Sequence, residues 1–166
     1  MKYVISGLIV FLITLKINAQ ATDSSLCENL TRTYDEFEKE TTFFTPESSF
    51  NNGVPNCSLM KVVSKKGTFY YLSLYSPGYT FNVGERGCKI ILNNGQLLTY
   101  PSEKVDVEYK DGRYTYSCFI ALTSDKVQLL KKTGINKWKL YIYENELTQE
   151  QSELFRNYVN CILSKK

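Results

Sequence analysis

Residues 88–121, CKIILNNGQLLTYPSEKVDVEYKDGRYTYSCFIA, carry the pattern that decides the fold. Strand-like runs flank two short turns in this stretch, at Asn94-Gly95 and Asp111-Gly112, and a similar turn lies upstream at Lys66-Gly67. A glycine, or an Asn or Asp before it, supplies the positive φ that a tight strand reversal needs. Three successive hairpins therefore predict an antiparallel sheet. The paired strands are predicted at 59–64 with 68–75, 88–92 with 96–100, and 104–109 with 113–121.

Two helices are predicted downstream of the hairpins, and each has its own boundary signals. Thr123 can cap the first helix, and Gly134 stands where a glycine terminates it. The second helix starts with Thr148 and Gln151 in capping-box spacing. Its apolar residues fall on one stripe: Leu154, Phe155, Tyr158, Val159 and Ile162.

A further strand is predicted between the helices, at 137–143, with Trp138, Leu140 and Ile142 on one side. Residues 23–39 are compatible with either a helix or an extended arm. The predicted fold class is therefore α+β, an antiparallel sheet of about three hairpins plus one strand, with two helices from the C-terminal half packed on it.

The N-terminal residues have the pattern of an export signal. Lys2 is followed by an apolar run at 3–15, and Ala19 is the small residue that a signal peptidase needs before its cut. The run is shorter than the ~20 residues of a membrane-spanning helix, although an uncleaved anchor is the alternative. We predict a signal peptide over 1–19, cut near Ala19 or Ala21, and one secreted or periplasmic domain over 20–166 without stable membrane insertion.

The charge balance gives no support to a nucleic-acid partner. Cleavage removes Lys2 and Lys16 and no acid, so the formal net charge falls by two from +3. Nucleic-acid binding depends on a concentrated positive field, which this balance lacks. The charges are uneven, since residues 23–47 carry seven acids against two basic residues, and residues 126–139 carry five lysines and no acid. Two solvated faces are the simplest interpretation of that pattern.

Five cysteines in an exported chain predict a disulfide with a thiol left over. Cys161 lies one heptad after Leu154 and so faces the core side of the last helix, while Cys27 lies at the other end of the domain. A Cys27–Cys161 disulfide would join both ends of the fold. Other pairings remain compatible with the spacing.

One stretch of the chain resembles a known group of proteins. The run FNVGERGCKIILNNG at 81–95, followed by Pro101, Val-Asp-Val at 105–107 and Tyr116, is similar to short exported bacterial proteins of the Bacteroidota type. The resemblance covers about residues 55 to 163. It implies a fold and a compartment, and it implies no catalytic or binding residue, because the group has no established activity.

The absence of histidine removes the usual general base, the common zinc ligand and every Ser-His or Cys-His pair. The residues at 58–61 read S-x-x-K and those at 132–134 read K-T-G, as in serine β-lactamases, but the first opens a strand and the second closes a helix. Carboxylate pairs at 106/108 and 144/146 have the spacing of solvated strand residues. No catalytic residue, cofactor or metal is therefore predicted.

Tyrosines that alternate along strands are the one compositional excess that points to a function. A tyrosine has a flat apolar ring and a polar tip, which suits stacking on a sugar or contact with a partner protein, although ordinary sheet packing is the alternative. The predicted binding residues are Tyr71, Tyr75, Tyr114, Tyr116, Tyr141 and Tyr143.

Tyr141 and Tyr143 are the preferred pair, because the predicted core residues of their strand lie on its other face. The sequence favours a non-catalytic module that binds a protein, peptide or glycan of the cell envelope. The alternatives are a small inhibitor or immunity-like protein and a small hydrolase that uses carboxylates or Ser/Lys.

Overall fold

The structure, a computed structural model, describes residues 25–46, 53–110 and 112–165. The predicted signal peptide and both of its cleavage sites lie outside these ranges. Within these ranges, a 3₁₀ turn at Leu26–Asn29 precedes nine strands and two helices. They are β1 (Thr31–Asp35), β2 (Glu40–Phe44), β3 (Cys57–Ser64), β4 (Gly67–Gly78), β5 (Arg86–Leu92), β6 (Leu97–Lys110), β7 (Arg113–Leu122), α1 (Ser124–Thr133), β8 (Ile135–Leu140), β9 (Tyr143–Glu146) and α2 (Gln149–Ser164).

The strands form a single antiparallel sheet in the order β1-β2-β3-β4-β7-β6-β5-β8-β9. The long strand β6 joins its two halves, since its first part pairs with β5 and its second part pairs with β7. The far end of the sheet lies close to β4. Nε1 of Trp138 in β8 donates to the carbonyl oxygen of Tyr75 in β4 over 2.9 Å. The sheet has an inner face, which carries the buried residues of β4, β5 and β7 and contacts α2, and an outer face, whose residues are exposed or partly buried.

The core lies between the inner face and helix α2. Its largest fully buried side chains include Trp138, Tyr116, Tyr158 and Phe155. The α2 stripe predicted from the sequence is buried here except for Leu154, which is partly buried. Helix α2 begins with the predicted capping box: the Thr148 hydroxyl accepts from the Gln151 N–H over 3.2 Å, and the Gln151 side chain accepts from the Thr148 N–H over 2.9 Å.

The predicted boundaries of α1 are also confirmed. Thr123 is its N-cap residue, although its side chain makes no capping hydrogen bond, and Gly134 ends the helix with φ +72° while its N–H donates to the Leu130 carbonyl. A Cβ at position 134 would lie 2.8 Å from the Ser152 hydroxyl oxygen of α2, so the glycine also lets the two helices approach.

The predicted disulfide between Cys27 and Cys161 is confirmed, with the two Cα atoms 5.2 Å apart. It fastens the 3₁₀ turn to α2. The C-terminal end of α2 is held from β3 as well, where the buried Lys61 Nζ donates to the carbonyl oxygens of Ile162 and Lys165. Burial lowers the pKa of Lys61. An ammonium at this place satisfies the Lys165 carbonyl beyond the last turn and shares the Ile162 carbonyl with the Lys165 N–H.

The α+β class is confirmed, but the predicted sheet is too small. The three predicted hairpins are present, whereas the segments 96–100 and 104–109 form one strand, β6. Pro101 inside it lies in the irregular stretch 101–103, which faces only Gly87 of β5, so a residue without an N–H interrupts no regular pair there. The ambiguous segment 23–39 contributes the 3₁₀ turn and β1, and every residue of β1 is exposed.

The predicted strand 137–143 is wrong in its second half. Strand β8 ends at Leu140, Tyr141 has φ +55°, and the chain reverses so that Leu140 pairs with Tyr143 at the start of β9. Ile142 was expected in the core and is instead exposed in the turn. None of the described helices is long and apolar enough to cross a membrane.

Candidate functional site

The six predicted tyrosines separate into two groups. Tyr71 and Tyr75 lie on the outer face of the sheet, whereas Tyr114, Tyr116, Tyr141 and Tyr143, here called the sheet-end tyrosines, lie at one end of the inner face. Three of the second group meet ring to ring, since the centroid of Tyr116 is 4.7 Å from that of Tyr143 and 6.3 Å from that of Tyr141, whereas the Tyr114 ring meets Tyr109 at 4.9 Å. The sheet-end tyrosines therefore continue the core rather than face solvent.

Tyr116 is fully buried, so the prediction that it lies on an exposed binding face is wrong. It alternates with Cys118 and Ile120 on the inner side of β7, where Tyr114 also lies. Tyr114, Tyr141 and Tyr143 are partly buried against the core. Alternation shows which residues share a face, but a tyrosine suits either face of a sheet, so the pattern did not show which face was the inner one.

The sheet-end tyrosines hold a loop at residues 79–83. The Tyr116 hydroxyl donates to the Thr80 carbonyl oxygen over 2.8 Å and accepts from the Asn82 N–H over 3.2 Å. The Tyr143 hydroxyl accepts from the Thr80 N–H over 3.1 Å and shares a second hydrogen bond with the Thr80 hydroxyl over 2.6 Å. The Asn82 side-chain amide donates to that same threonine hydroxyl over 2.9 Å. Five hydrogen bonds thus fix a segment of five residues.

Gly78 lets the strand before this loop lie directly on the tyrosine rings. A Cβ at this position would lie 2.6 Å from Cδ2 of Tyr116 and 3.0 Å from Cε2 of Tyr143. No side chain fits there, because real Cβ atoms do not approach other heavy atoms so closely. The loop is therefore seated by packing as well as by hydrogen bonds.

The hydrogen bond with the Thr80 side chain, together with the backbone N–H bonds, lowers the pKa of the Tyr143 hydroxyl. Donors directed at the phenol oxygen stabilise its ionised form more than its neutral form. The Tyr143 hydroxyl therefore serves the loop as an acceptor for the Thr80 N–H.

The fixed loop directs apolar side chains into solvent. Tyr79 is 88% exposed, Phe81 58% and Val83 67%, and these three residues are here called the loop patch. Phe81 packs at 5.8 Å on Tyr114, and Tyr79 meets Tyr143 edge-on at 6.3 Å. This loop was not among the predicted binding residues, although apolar residues at alternate positions between turn glycines are a signal that could have found it.

A second aromatic surface lies on the outer face, and it has a different construction. The outer strip consists of Phe69, Tyr71, Tyr75 and Phe119 on β4 and β7. The rings of Tyr71 and Phe119 stack at 4.9 Å with an interplanar angle of 13°. These rings rest on the regular pairing of β4 with β7.

The residues considered for catalysis are not brought together. Ser58 and Lys61 lie on opposite faces of β3, since Ser58 is on the outer side and Lys61 is buried on the inner side. Glu144 pairs with Lys139 over 3.1 Å, and Asp106 pairs with Lys104. Within residues 25–46, 53–110 and 112–165, no group of three or more His, Cys, Asp or Glu side chains is placed to hold a metal ion.

Three thiols remain in the core, where one odd cysteine was expected. Cys57, Cys88 and Cys118 are buried and form no disulfide. A hydrogen bond with Cys118, together with burial, raises the pKa of Cys88, and burial raises the pKa of Cys57. Protonated and enclosed thiols are weak nucleophiles, so Cys57 and Cys88 behave as small apolar core residues.

The fold and the site together define an α+β domain that presents an apolar loop on a tyrosine support. Comparison of the chain with known protein families, with curated proteins and with solved structures gives no match. The resemblance to exported Bacteroidota-type proteins therefore stays a prediction from the sequence.

Proposed function

We propose that this chain is a non-catalytic extracytoplasmic binding module that recognises a protein or peptide of the cell envelope through the loop patch. The observation that supports this function most directly is the combination of exposure and fixation at residues 79–83. Tyr79, Phe81 and Val83 face solvent, while the backbone between them is held by Tyr116 and Tyr143.

Fixation matters because ordering a loop on binding costs free energy. An exposed apolar loop that is already held in one conformation keeps more of its burial energy for the complex. Aromatic side chains on such loops are typical anchors of protein interfaces, since they bury a large area and lose little rotamer freedom.

The polar groups of the loop favour a protein or peptide over a glycan. Sugar recognition needs hydrogen-bonding groups beside the stacking ring, because a sugar carries many hydroxyls that lose water on binding. The Thr80 hydroxyl and the Asn82 amide are instead used inside the loop support. The loop patch therefore offers mainly apolar contacts.

The compartment follows from the disulfide and the predicted signal peptide together. A disulfide such as Cys27–Cys161 is typical of an oxidising environment outside the cytoplasm. We place the module in the periplasm or outside the cell for this reason.

Site-specific photo-crosslinking in exporting cells tests the proposal. A photoreactive phenylalanine replaces Phe81 in one variant and Phe119 of the outer strip in a matched control variant. Both positions are exposed aromatics, so the two variants differ mainly in the surface that they report. We expect a defined protein adduct from position 81 that disappears when Tyr79→Ser and Val83→Ser are added.

An adduct from position 119 alone would assign the function to the outer strip and contradict the proposal. Glycan-array binding that is lost on Tyr79→Ser would contradict the choice of a protein partner. If the captured protein is an enzyme and purified chain inhibits it at a fixed ratio, the inhibitor alternative is the correct form of the binding function. Hydrolytic turnover that survives Tyr79→Ser and Phe81→Ser would contradict the proposal that the chain is a non-catalytic binding module.

A further inference from the structure

The turn between β1 and β2 presents the most exposed large apolar side chain of the described residues. Phe37 is 96% exposed, and it stands between the exposed Glu36 and Glu38. One oxygen of Asp35 accepts from the N–H of Phe37 over 2.8 Å and from the N–H of Glu38 over 3.0 Å. The hairpin tip, residues 36–38, is therefore a preformed turn with a ring between two carboxylates.

A groove lined by lysines and apolar side chains, opposite in charge to the acidic hairpin tip, crosses β6, β5 and β8 on the outer face of the sheet. It has a volume of about 290 Å³, and its lining includes the apolar side chains of Ile91 and Leu97. Lys137 lies opposite Ile91, and Lys89 lies directly opposite Lys139. These five residues, together with Trp138 and Glu144, line what is here called the lysine groove, which joins an apolar floor to a basic edge.

The lysines of the groove are incompletely neutralised. Glu144 pairs with Lys139 over 3.1 Å, whereas Glu146 aligns with Lys137 without forming an ion pair. Among the residues that the structure describes, neither Lys89 nor Lys137 has an ion pair. Like charges directly opposite each other on a sheet are destabilising, and because Glu144 neutralises only Lys139 of the facing pair, an anion bound beside Lys89 relieves the remaining cost.

We propose that the hairpin tip of one copy of this chain binds in the lysine groove of a second copy. Phe37 occupies the apolar floor, and Glu36 and Glu38 approach Lys89 and Lys137. A benzene ring fits a cavity of about 150 Å³, and the groove is larger than that. An aromatic side chain between two carboxylates is the ligand that an apolar floor with unpaired lysines selects.

The contact is head to tail, because β1 is the first strand of the sheet and β8 is next to the last. Each copy then offers one tip and one groove, and such contacts generate rings or open chains. One turn in one groove buries little area, so the association is weak and reversible. The loop patch takes no part in it, and the proposal does not depend on the binding function above.

A charge exchange tests this contact with intact chains. The first variant carries Glu36→Lys and Glu38→Lys, and the second carries Lys89→Glu and Lys137→Glu. We expect the wild type to increase in weight-average mass with concentration in sedimentation equilibrium at low salt, and each variant to remain a monomer. An equal mixture of the two variants restores association, since every basic tip then meets an acidic groove and every acidic tip meets a basic one.

The matched control is Glu150→Lys with Glu153→Lys, which makes the same change in net charge on the exposed side of α2. It should associate like the wild type, and Phe37→Ser should not associate. A wild-type chain that stays monomeric at the highest soluble concentration overturns the proposal. Association that the tip and groove variants retain, or that their mixture fails to restore, assigns the contact to another surface and also overturns it.

Discussion

The sheet-end tyrosines and the outer strip are built from the same kinds of residue, and they have opposite relations to the rest of the fold. Tyr116 is buried and binds the loop through its hydroxyl, whereas Tyr71 stacks on Phe119 at the surface. The first group holds a loop in place, and the second covers a strand pair. A sheet rich in aromatic residues therefore does not by itself have a binding surface. The role of the rings depends on whether they hold a loop or pack on a strand pair.

Replacing one tyrosine of each region by alanine should give the largest difference in the free energy of unfolding between the two regions. Tyr116→Ala removes a fully buried ring and its hydrogen bonds, and we expect it to lower the free energy of unfolding by about 3 to 5 kcal/mol. Tyr71→Ala removes a partly exposed ring and should cost about 1 kcal/mol. Urea denaturation of the two variants measures both values. Equal losses would show that the two regions contribute alike.

Gly78→Ala tests the close approach of the strand to the rings. The added Cβ meets Tyr116 and Tyr143, and we expect a loss of about 1 to 3 kcal/mol in the free energy of unfolding. Ser73→Ala, on the outer face of the same strand, is the control and should be nearly neutral. A stable Gly78→Ala protein with unchanged protease resistance at 79–83 would mean that the loop is not seated on these rings.

Removing a single tyrosine hydroxyl from each region should give a smaller difference in the free energy of unfolding. Tyr116→Phe leaves the ring and takes away both hydrogen bonds to the loop, for an expected loss of about 1 to 2 kcal/mol. Tyr71→Phe should change the free energy of unfolding by less than about 0.5 kcal/mol. Hydrogen exchange at the Asn82 N–H reports the local effect, because that N–H donates to Tyr116. Unchanged exchange in Tyr116→Phe would contradict the anchoring role.

The smallest expected effect is a shift in one titration. The pKa of Tyr143 is below its ordinary value in the folded chain, so this residue favours folding above the ordinary tyrosine pKa, and its contribution is lost as pH falls through the folded pKa. NMR titration of labelled tyrosine side chains should show the lowered value, and Thr80→Val should raise it. Burial raises the pKa of Tyr100 and Tyr70, so the readout must resolve individual rings.

Local signals in the sequence predicted the parts of the fold that local chemistry decides. The turn at Asn94-Gly95, the capping box at Thr148 and the terminator at Gly134 each act within a few residues, and each is present. Strand β1 had no such signal, since all of its residues are exposed and no apolar alternation marks it. The turn at Tyr141 likewise had no local signal in the sequence, because a tyrosine rarely adopts positive φ.

The candidate site depended on contacts between residues far apart in the chain. Thr80 and Tyr143 are 63 positions apart, and a single sequence gives no sign that their side chains meet. The tyrosines were recognised as unusual, but their anchoring role and the exposure of Phe81 follow from the tertiary fold. Such long-range hydrogen bonds are the part of a site that composition and spacing leave open.

The disulfide between the two ends of the domain has a mechanical consequence. Cys27 and Cys161 are 134 positions apart, so about 480 Å of extended chain lies inside one covalent ring. A pulling force applied before Cys27 and after Cys161 passes through the sulfur atoms and puts no tension on the sheet. Attached to two surfaces by its ends, the domain would behave as a short, nearly inextensible link for as long as the bond stays oxidised, and as a long extensible one after reduction.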